Sequence, residues 1–312
     1  MARAAMIRAA LVRVAYSGVA RRPPVELDLA PEGSEHMDYL TACCTAKNEG
    51  SYIAEWIAFH LTTGFDRLVI IDNGSIDGTG KVARAFGFTG QVDVIDWPGP
   101  GTQVEMYEKV ARDYRDRTEW LAFIDADEFL YPVEGADLRK TLAEMGDIDG
   151  VGVHWHIYGS NGHTQAVPGL TVETYTRRAE DSFLLNRHIK TMARAARIEK
   201  IYSSHLIGTA GGIVDDGGAP IPMTEPYGFY ADKPACWRKF RINHYHTRSR
   251  GEYQLKASRG YFGIDDEKLS SEQRIADMFA CHDRNEVLDE SAIRFVPGMH
   301  PLLRQAEGWS SS

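Results

Sequence analysis

The sequence predicts an α/β fold, a mostly parallel central sheet with helices on both faces, and three observations carry that expectation. Short apolar runs of strand length alternate with helix-period segments between residues 38 and 157. Polar clusters directly follow three of those runs, and in such sheets ligands sit beyond the C-terminal strand ends. The 312 residues are 43% hydrophobic and 25% charged, enough for a sizeable core. This composition excludes wholesale disorder, a collagen-like chain and a coiled coil. With 35 Lys and Arg against 44 Asp and Glu, the charge of −9 argues against nucleic acid as the main partner.

Taken in order, Tyr39 to Thr45 (YLTACCT) is a strand. Ser51 to Thr63 is a helix with Ile53, Trp56, Ile57 and Leu61 on one face. Arg67 to Ile71 (RLVII) is a β-branched strand ending in Asp72-Asn73-Gly74-Ser75. A helix is expected over Gly78 to Phe86, and a strand over Gln91 to Ile95. Thr102 to Arg117 reads as a helix with Val104, Tyr107, Val110, Ala111 and Tyr114 inward. Trp120 to Ile124 (WLAFI) is an apolar strand, Asp137 to Met145 a helix, and Gly150 to Ile157 a strand. Ser270 to Ala280 reads as an amphipathic helix, packed back on the protein or used in a homodimer.

The start differs in character. Met1 to Arg22 carries Arg3, Arg8, Arg13, Arg21 and Arg22 among apolar residues and has no acid. A basic amphipathic helix on an anionic membrane surface has this pattern, and so does a poorly ordered start. No uninterrupted apolar run suggests a cleaved signal peptide or a membrane span. Cys43, Cys44, Cys236 and Cys281 have no CxxC spacing, so they read as reduced thiols in a cytosolic protein. The expected organisation is a basic segment and linker over 1–37, a central domain over 38–262, and a helical tail over 263–312.

Asp125, Asp127 and Glu128 follow WLAFI directly. Two Asp at i and i+2 of extended chain point to one side, where their charges repel unless a cation sits between them. Oxygen ligands of this kind suit Mg2+ or Mn2+. Asp72, at another strand end, can accept from a uracil N–H or a ribose hydroxyl, or simply form an Asx turn. The glycines make neither GxGxxG nor GxxxxGK[ST], so a dinucleotide site or P-loop is unsupported. His154-Trp155-His156 and His244-Tyr245-His246 are both HxH, and two such pairs could hold zinc.

These residues also carry a resemblance. KNEGSYIAEWIAFHLTTGFDRLVIIDNGSIDGT, then Gln103, then WLAFIDADEFL, resembles family-2-type glycosyltransferases of GT-A fold, a Rossmann-like architecture. The branch related to glycosyltransferase family 92 is most similar, through HWHIYGSNGH, HIKTMAR and INHYHTRSRGEYQLKASRG. The resemblance implies a nucleotide-sugar donor, usually a UDP-sugar, a divalent metal (Mn2+ or Mg2+), and a C-terminal region on the acceptor side. It places Thr45, Asn48, Glu49, Asp72 and Asn73 on the donor, with Thr45 and Asp72 at base and ribose. Asp125 and Asp127 correspond to the DxD motif, with His244 a further metal or diphosphate contact. Arg248 stands where the related pattern often has Lys, a cation facing the leaving diphosphate. Lys190 and Arg194 contact phosphate or cover a helix. Family-2 enzymes place a basic Asp, often within an ED pair, after the DxD; Glu180-Asp181 makes Asp181 the candidate catalytic base.

The function so implied is metal-dependent, inverting transfer of a hexosyl or N-acetylhexosaminyl group to a hydroxyl of a glycan or lipid-linked acceptor. The setting it suggests is bacterial polysaccharide biosynthesis, in the cytoplasm or peripherally on the inner face of the membrane. Trp155 and Tyr158 could stack on a sugar or belong to the core. Two other classes compete. One is a haloacid-dehalogenase-like phosphohydrolase, whose motif also places DxD after an apolar strand; Phe129 departs from its pattern. The other is a non-catalytic nucleotide-sugar binder.

Overall fold

The computed structural model describes residues 37–222, 233–258 and 272–310. The expectations for the basic start and its linker lie outside them. Strand β1 (Asp38–Ala46) pairs in parallel with β2 (Arg67–Asp72) and β4 (Thr118–Phe123), and β3 (Val92–Asp96) extends the sheet in parallel beyond β2. Helix α1 (Ile53–Thr62) links β1 to β2, α2 (Thr79–Arg84) links β2 to β3, and α3 (Gln103–Asp113) links β3 to β4. This is the alternation read from the sequence.

The second half is mixed. It contains β5 (Glu128–Pro132), β6 (Gly150–Ile157), the short β7 (Arg177–Arg178) and β8 (Ile189–Arg194). A hairpin of β9 (Ile198–Ile201) and β10 (Ile207–Thr209), the two-residue β11 (Val214–Asp215), and β12 (Phe240–His244) follow. Among the described residues the main sheet has nine strands, in the order β3-β2-β1-β4-β8-β6-β12-β5 with β11 beside β6. Strand β8 runs antiparallel to both β4 and β6, and β5 runs antiparallel to β12. Only a short turn separates β4 from β5 in the chain, yet three strands separate them in the sheet. The sheet therefore curls, and the turn Asp125-Ala126-Asp127 bridges its two halves.

Alternation sorts the core. Leu40, Ala42 and Cys44 of β1 face one layer with Trp56 and Phe59 of α1. Cys43 faces the other with Met106, Tyr107 and Val110 of α3. The adjacent cysteines are thus fully buried, free, and on opposite sheet faces, which excludes a bond between them. Helix α3 starts on a capping box: the Glu105 N–H donates to Thr102 Oγ1 at 3.2 Å, and the Thr102 N–H donates to Glu105 Oε2 at 2.7 Å. Helix α1 ends at Gly64, which takes φ of +105° and packs so closely on Asp137 that a Cβ would lie 2.5 Å from its Oδ1.

Helices α4 (Leu138–Ala143), α5 (Thr171–Thr174), α6 (Arg250–Ser258) and α7 (Glu272–His282) are short. The strand β13 (Val287–Leu288) pairs with β7, and α8 (Val296–Ser310) follows it. Phe295, Val296 and Met299 pack into the α1 core layer, so this end of the tail belongs to the same core as the sheet. KTMAR lies on strand β8.

Candidate active site

The two polar loops after β1 and β2 are zipped together by side chain–backbone bonds. The Ile76 N–H donates to Asn48 Oδ1, the Asn48 N–H to Ser75 Oγ (both 2.9 Å), and the Glu49 N–H to Thr79 Oγ1 at 2.8 Å. The Gly50 N–H donates to Asp77 Oδ2 at 2.9 Å. Asp72 Oδ1 accepts from the Ser75 N–H at 2.9 Å, so the Asx-type turn is real. Its other oxygen packs on Gly80, where a Cβ would lie 2.4 Å away. The pattern KNEG…DNGSIDGTG is therefore first a device that holds two strand ends together. Asn48 spends its side-chain oxygen on that device. Asn73 donates its N–H to the Ala46 carbonyl at 2.9 Å, with its amide against Met106.

The acidic stretch is a turn, not extended chain. The Glu128 N–H donates to the Asp125 carbonyl at 3.0 Å. Trp56 of α1 donates Nε1–H to the same carbonyl at 3.0 Å, and the Tyr245 N–H donates to the Asp127 carbonyl at 2.8 Å. The expectation that Asp125 and Asp127 point to one side is thereby corrected: the turn gives them different partners. Asp125 Oδ1 accepts from Gln103 Nε2 at 2.8 Å, and Oδ2 from Lys190 Nζ at 2.7 Å. The Gln103 amide also donates to Thr45 Oγ1 at 2.9 Å, tying the ends of β1, α3 and β4 together.

Lys190 is buried, donates also to the Ser204 carbonyl at 2.9 Å, and lies 3.4 Å from Glu128. Burial would lower it, but Asp125 and Glu128 outweigh burial and keep the ammonium charged. Burial lifts the Glu128 carboxyl, against the pull of Lys190. Lys190 thus neutralises carboxylates, whereas the sequence allowed it a phosphate.

Asp127 has another setting. Its Oδ2 lies 3.4 Å from His244 Nε2 and 3.8 Å from His246 Nδ1, and pairs with Lys256 of α6. The register explains the meeting. His244 ends β12 opposite Glu128 of β5, and the Tyr245 bond to Asp127 aligns the flanking histidines with the turn. Burial would raise the Asp127 carboxyl, but Lys256 and His244 outweigh it and hold it well below the usual range. Burial first, then Lys256, holds the His246 imidazole well below its ordinary value, so it is neutral, the ligating form.

These three side chains fit a divalent ion. Their candidate ligand atoms lie within 4.8 Å of one another. Two atoms each about 2.1 Å from one ion lie roughly 3.0–3.4 Å apart, so small shifts close the set. The outer nitrogens, His244 Nδ1 and His246 Nε2, have no hydrogen-bond partner among the described residues. Asp125 is not in this group; His246, from the second HxH, is. The first HxH does not join it: His156 stacks on Trp237 at 3.8 Å, and His154 meets the same ring edge-on.

Arg248 is buried, with φ of +46°, over the Tyr52 ring at 3.4 Å and 3.4 Å from Glu49. Its Nε has no partner among the described residues. Trp155 packs at 4.1 Å on His244 and 4.8 Å on His188, on the site side, whereas Tyr158 is a core ring against Tyr245. Arg194 bonds the Ile148 carbonyl and Glu119, remote from any phosphate role.

Asp181 is not brought to this cluster. It is 67% exposed, pairs with Arg178 at 2.7 Å, and lies 3.4 Å from His156. His156 alternates with Trp155 along β6, so Asp181 reaches the sheet face opposite His244. Two contributors escaped the sequence reading. Lys256 lies eight residues past Arg248, with no local signal beyond helical position. Glu252 accepts from the hydroxyls of Tyr52 at 2.5 Å and Tyr175 at 2.7 Å and from the Ser249 N–H at 3.0 Å, fixing α6 against the site.

Known proteins resemble this chain in sequence over about half of its length. The profile of glycosyltransferase family 92 matches residues 40–200. A family 92 protein of Ricinus communis is 28% identical over 165 residues, 48% of this chain and 29% of that protein. One of Oryza sativa subsp. japonica is 30% identical over 144 residues, 45% of this chain and 24% of that protein. The chain thus spans under a third of these curated plant relatives. Among solved structures, S. aureus TarS 1-349 has a TM-score of 0.40 at 16% identity, covering 78% of this chain and 71% of that one. The mannosyltransferase PcManGT from Pyrobaculum calidifontis, in complex with GDP-Man and Mn2+, has a TM-score of 0.38 at 14% identity, covering 91% and 79%.

Proposed function

The chain belongs to glycosyltransferase family 92, and on that premise we propose that it moves a sugar from a nucleotide-sugar, a UDP-sugar foremost, to a hydroxyl of a glycan or lipid-linked acceptor, with Mn2+ or Mg2+ held at Asp127. The observation that carries this reading is the convergence of Asp127, His244 and His246 on one point at the turn bridging the curled sheet. Arg248 and Lys256 lie beside it. Family membership leaves the phosphohydrolase alternative without support.

A bound divalent ion would neutralise charge growing on the diphosphate as the glycosidic bond breaks. The residues do the rest. Asp127, His244 and His246 would hold the ion in position. Arg248, clamped by Tyr52 and Glu49, presents fixed positive charge for the leaving group, and preorganised charge needs no rearrangement during reaction. Thr45, Asp72 and Asn73, at the ends of β1 and β2, are proposed to meet base and ribose. Asp125 supports the site through Gln103 and Lys190.

A cleft of about 650 Å3 between α6 and α7 is proposed as the acceptor side. Tyr253 and Phe279 offer rings there, and Arg250, Gln254 and Gln273 offer polar groups. Tyr253 also lies 5.5 Å from the His246 ring, which joins cleft to site. Inversion remains part of the proposal, and the anomeric configuration of the product, read by NMR, checks it. No helix among the described residues is long and apolar enough to cross a membrane. Contact with an anionic membrane through residues 1–22 is proposed from sequence alone, and vesicle binding tests it.

The test is UDP release from a panel of UDP-sugars with Mn2+. Release that is lost in Asp127→Ala supports the reading. Absence of turnover and of binding with every nucleotide-sugar overturns it. Tight UDP binding without transfer or hydrolysis would favour the non-catalytic binder.

A further inference from the structure

We propose that Lys256 is a built-in counter-cation of Asp127, which a divalent ion must displace, and that the displaced ammonium then turns to the donor's diphosphate. This rests on the metal reading above and gives a role to a residue to which the sequence reading assigned none. One oxygen is the meeting point. Asp127 Oδ2 is approached by His244 Nε2, by His246 Nδ1 and by the Lys256 ammonium together. An ion bound by that oxygen and both imidazoles would lie close to the place the ammonium holds. Two cations so close repel strongly away from bulk water, so one excludes the other.

The surroundings allow the exchange. Helix α6 is anchored by Glu252, through Tyr52, Tyr175 and Ser249, so the backbone carrying Lys256 is fixed. The Lys256 side chain itself is 29% exposed and has a flexible four-carbon stem. It lines a cavity with Glu49, Tyr52, Arg248 and Glu252. That cavity measures only about 30 Å3, room for roughly one water. The side chain can therefore leave Asp127 without moving the helix, and its departure widens the space beside Arg248. There the two cations face one diphosphate from the same side. Metal entry and donor grip are coupled through one flexible residue.

Competition of this kind is a coupling free energy and is read as a change in metal affinity without any substrate. The experiment is Mn2+ binding to the whole protein by calorimetry and by electron paramagnetic resonance of free Mn2+. Wild type, Lys256→Gln, Lys256→Met and Lys256→Arg are compared, with thermal melts confirming that each folds. Removing the charge is expected to tighten Mn2+ by about five- to a hundredfold, with Arg near wild type. With Mn2+ saturating, the Gln and Met variants are expected to bind UDP several-fold more weakly. Adding Asp127→Ala to Lys256→Gln is expected to abolish the tightened site. Equal or weaker Mn2+ binding in both Gln and Met variants overturns the proposal while leaving the metal reading intact. No Mn2+ binding in any variant, with UDP binding indifferent to Mn2+, overturns the metal reading and this proposal with it.

Discussion

Asp125 and Asp127 stand two residues apart and share no side-chain hydrogen-bond or ion-pair partner among the described residues. Asp125 is locked by Gln103 and Lys190, while Asp127 faces two imidazoles and an ammonium. Asp127→Ala is therefore expected to lower transfer about 100- to 1,000-fold. Asp181 gives the opposite expectation. It is exposed and spent on Arg178, so Asp181→Asn should retain near-wild-type turnover in the same assay. A large loss of kcat in that variant would restore it as the base. The sequence made Asp127 and His244 legible because each lies in a compact motif. Lys256 was hidden because it reaches the site through helix geometry, 129 residues away in sequence from its partner.

At the scale of elements, the strand ends are held by short polar loops whose residues act in pairs across chain distance. Gly80 has no room for a Cβ beside Asp72, so Gly80→Ala should cost about 1–3 kcal/mol in denaturant unfolding and disturb the β2 loop. Thr102→Ala removes one half of the capping box and should cost about 1 kcal/mol by the same measurement. The parallel half of the sheet was legible because apolar period and turn residues agree there. Strands β5, β8 and β12 were not. Glu128, Lys190 and His244 break their apolar patterns, since those positions serve the site and their charges are matched only across the sheet. Local pattern cannot report a partner supplied by a distant strand.

At the scale of the molecule, buried neutral histidines set the pH response. Burial pushes His60 down to about 3, and His154 and His188 down to about 4. His60 donates Nδ1–H to the Trp56 carbonyl at 2.8 Å and accepts the Leu130 N–H at Nε2, at 3.2 Å, so it joins α1 to β5 only when neutral. Each such histidine has a lower pKa folded than unfolded. Its contribution is present above the unfolded value near 6.5 and is lost as pH falls toward the folded value. Stability should fall below pH about 6.5, each histidine adding about 1.4 kcal/mol per pH unit. Urea unfolding at pH 7 and pH 5 measures this, and a flat profile would contradict it. Asp289 behaves with its own sign: although burial raises it, Arg241, Ser291 and Arg178 hold it well below the carboxylate range. Asp289→Asn should cost about 2–3 kcal/mol at pH 7, the difference shrinking as pH falls below about 4.

The central question is whether one carboxylate and two imidazoles grip an ion that in turn grips a nucleotide. Calorimetric titration of UDP into the protein, with and without Mn2+, in wild type and Asp127→Ala, asks this directly. The prediction is UDP binding that strengthens markedly with Mn2+ in wild type and gains nothing from Mn2+ in the variant. Equal UDP affinity with and without Mn2+, or a variant that responds to Mn2+ as wild type does, would contradict it.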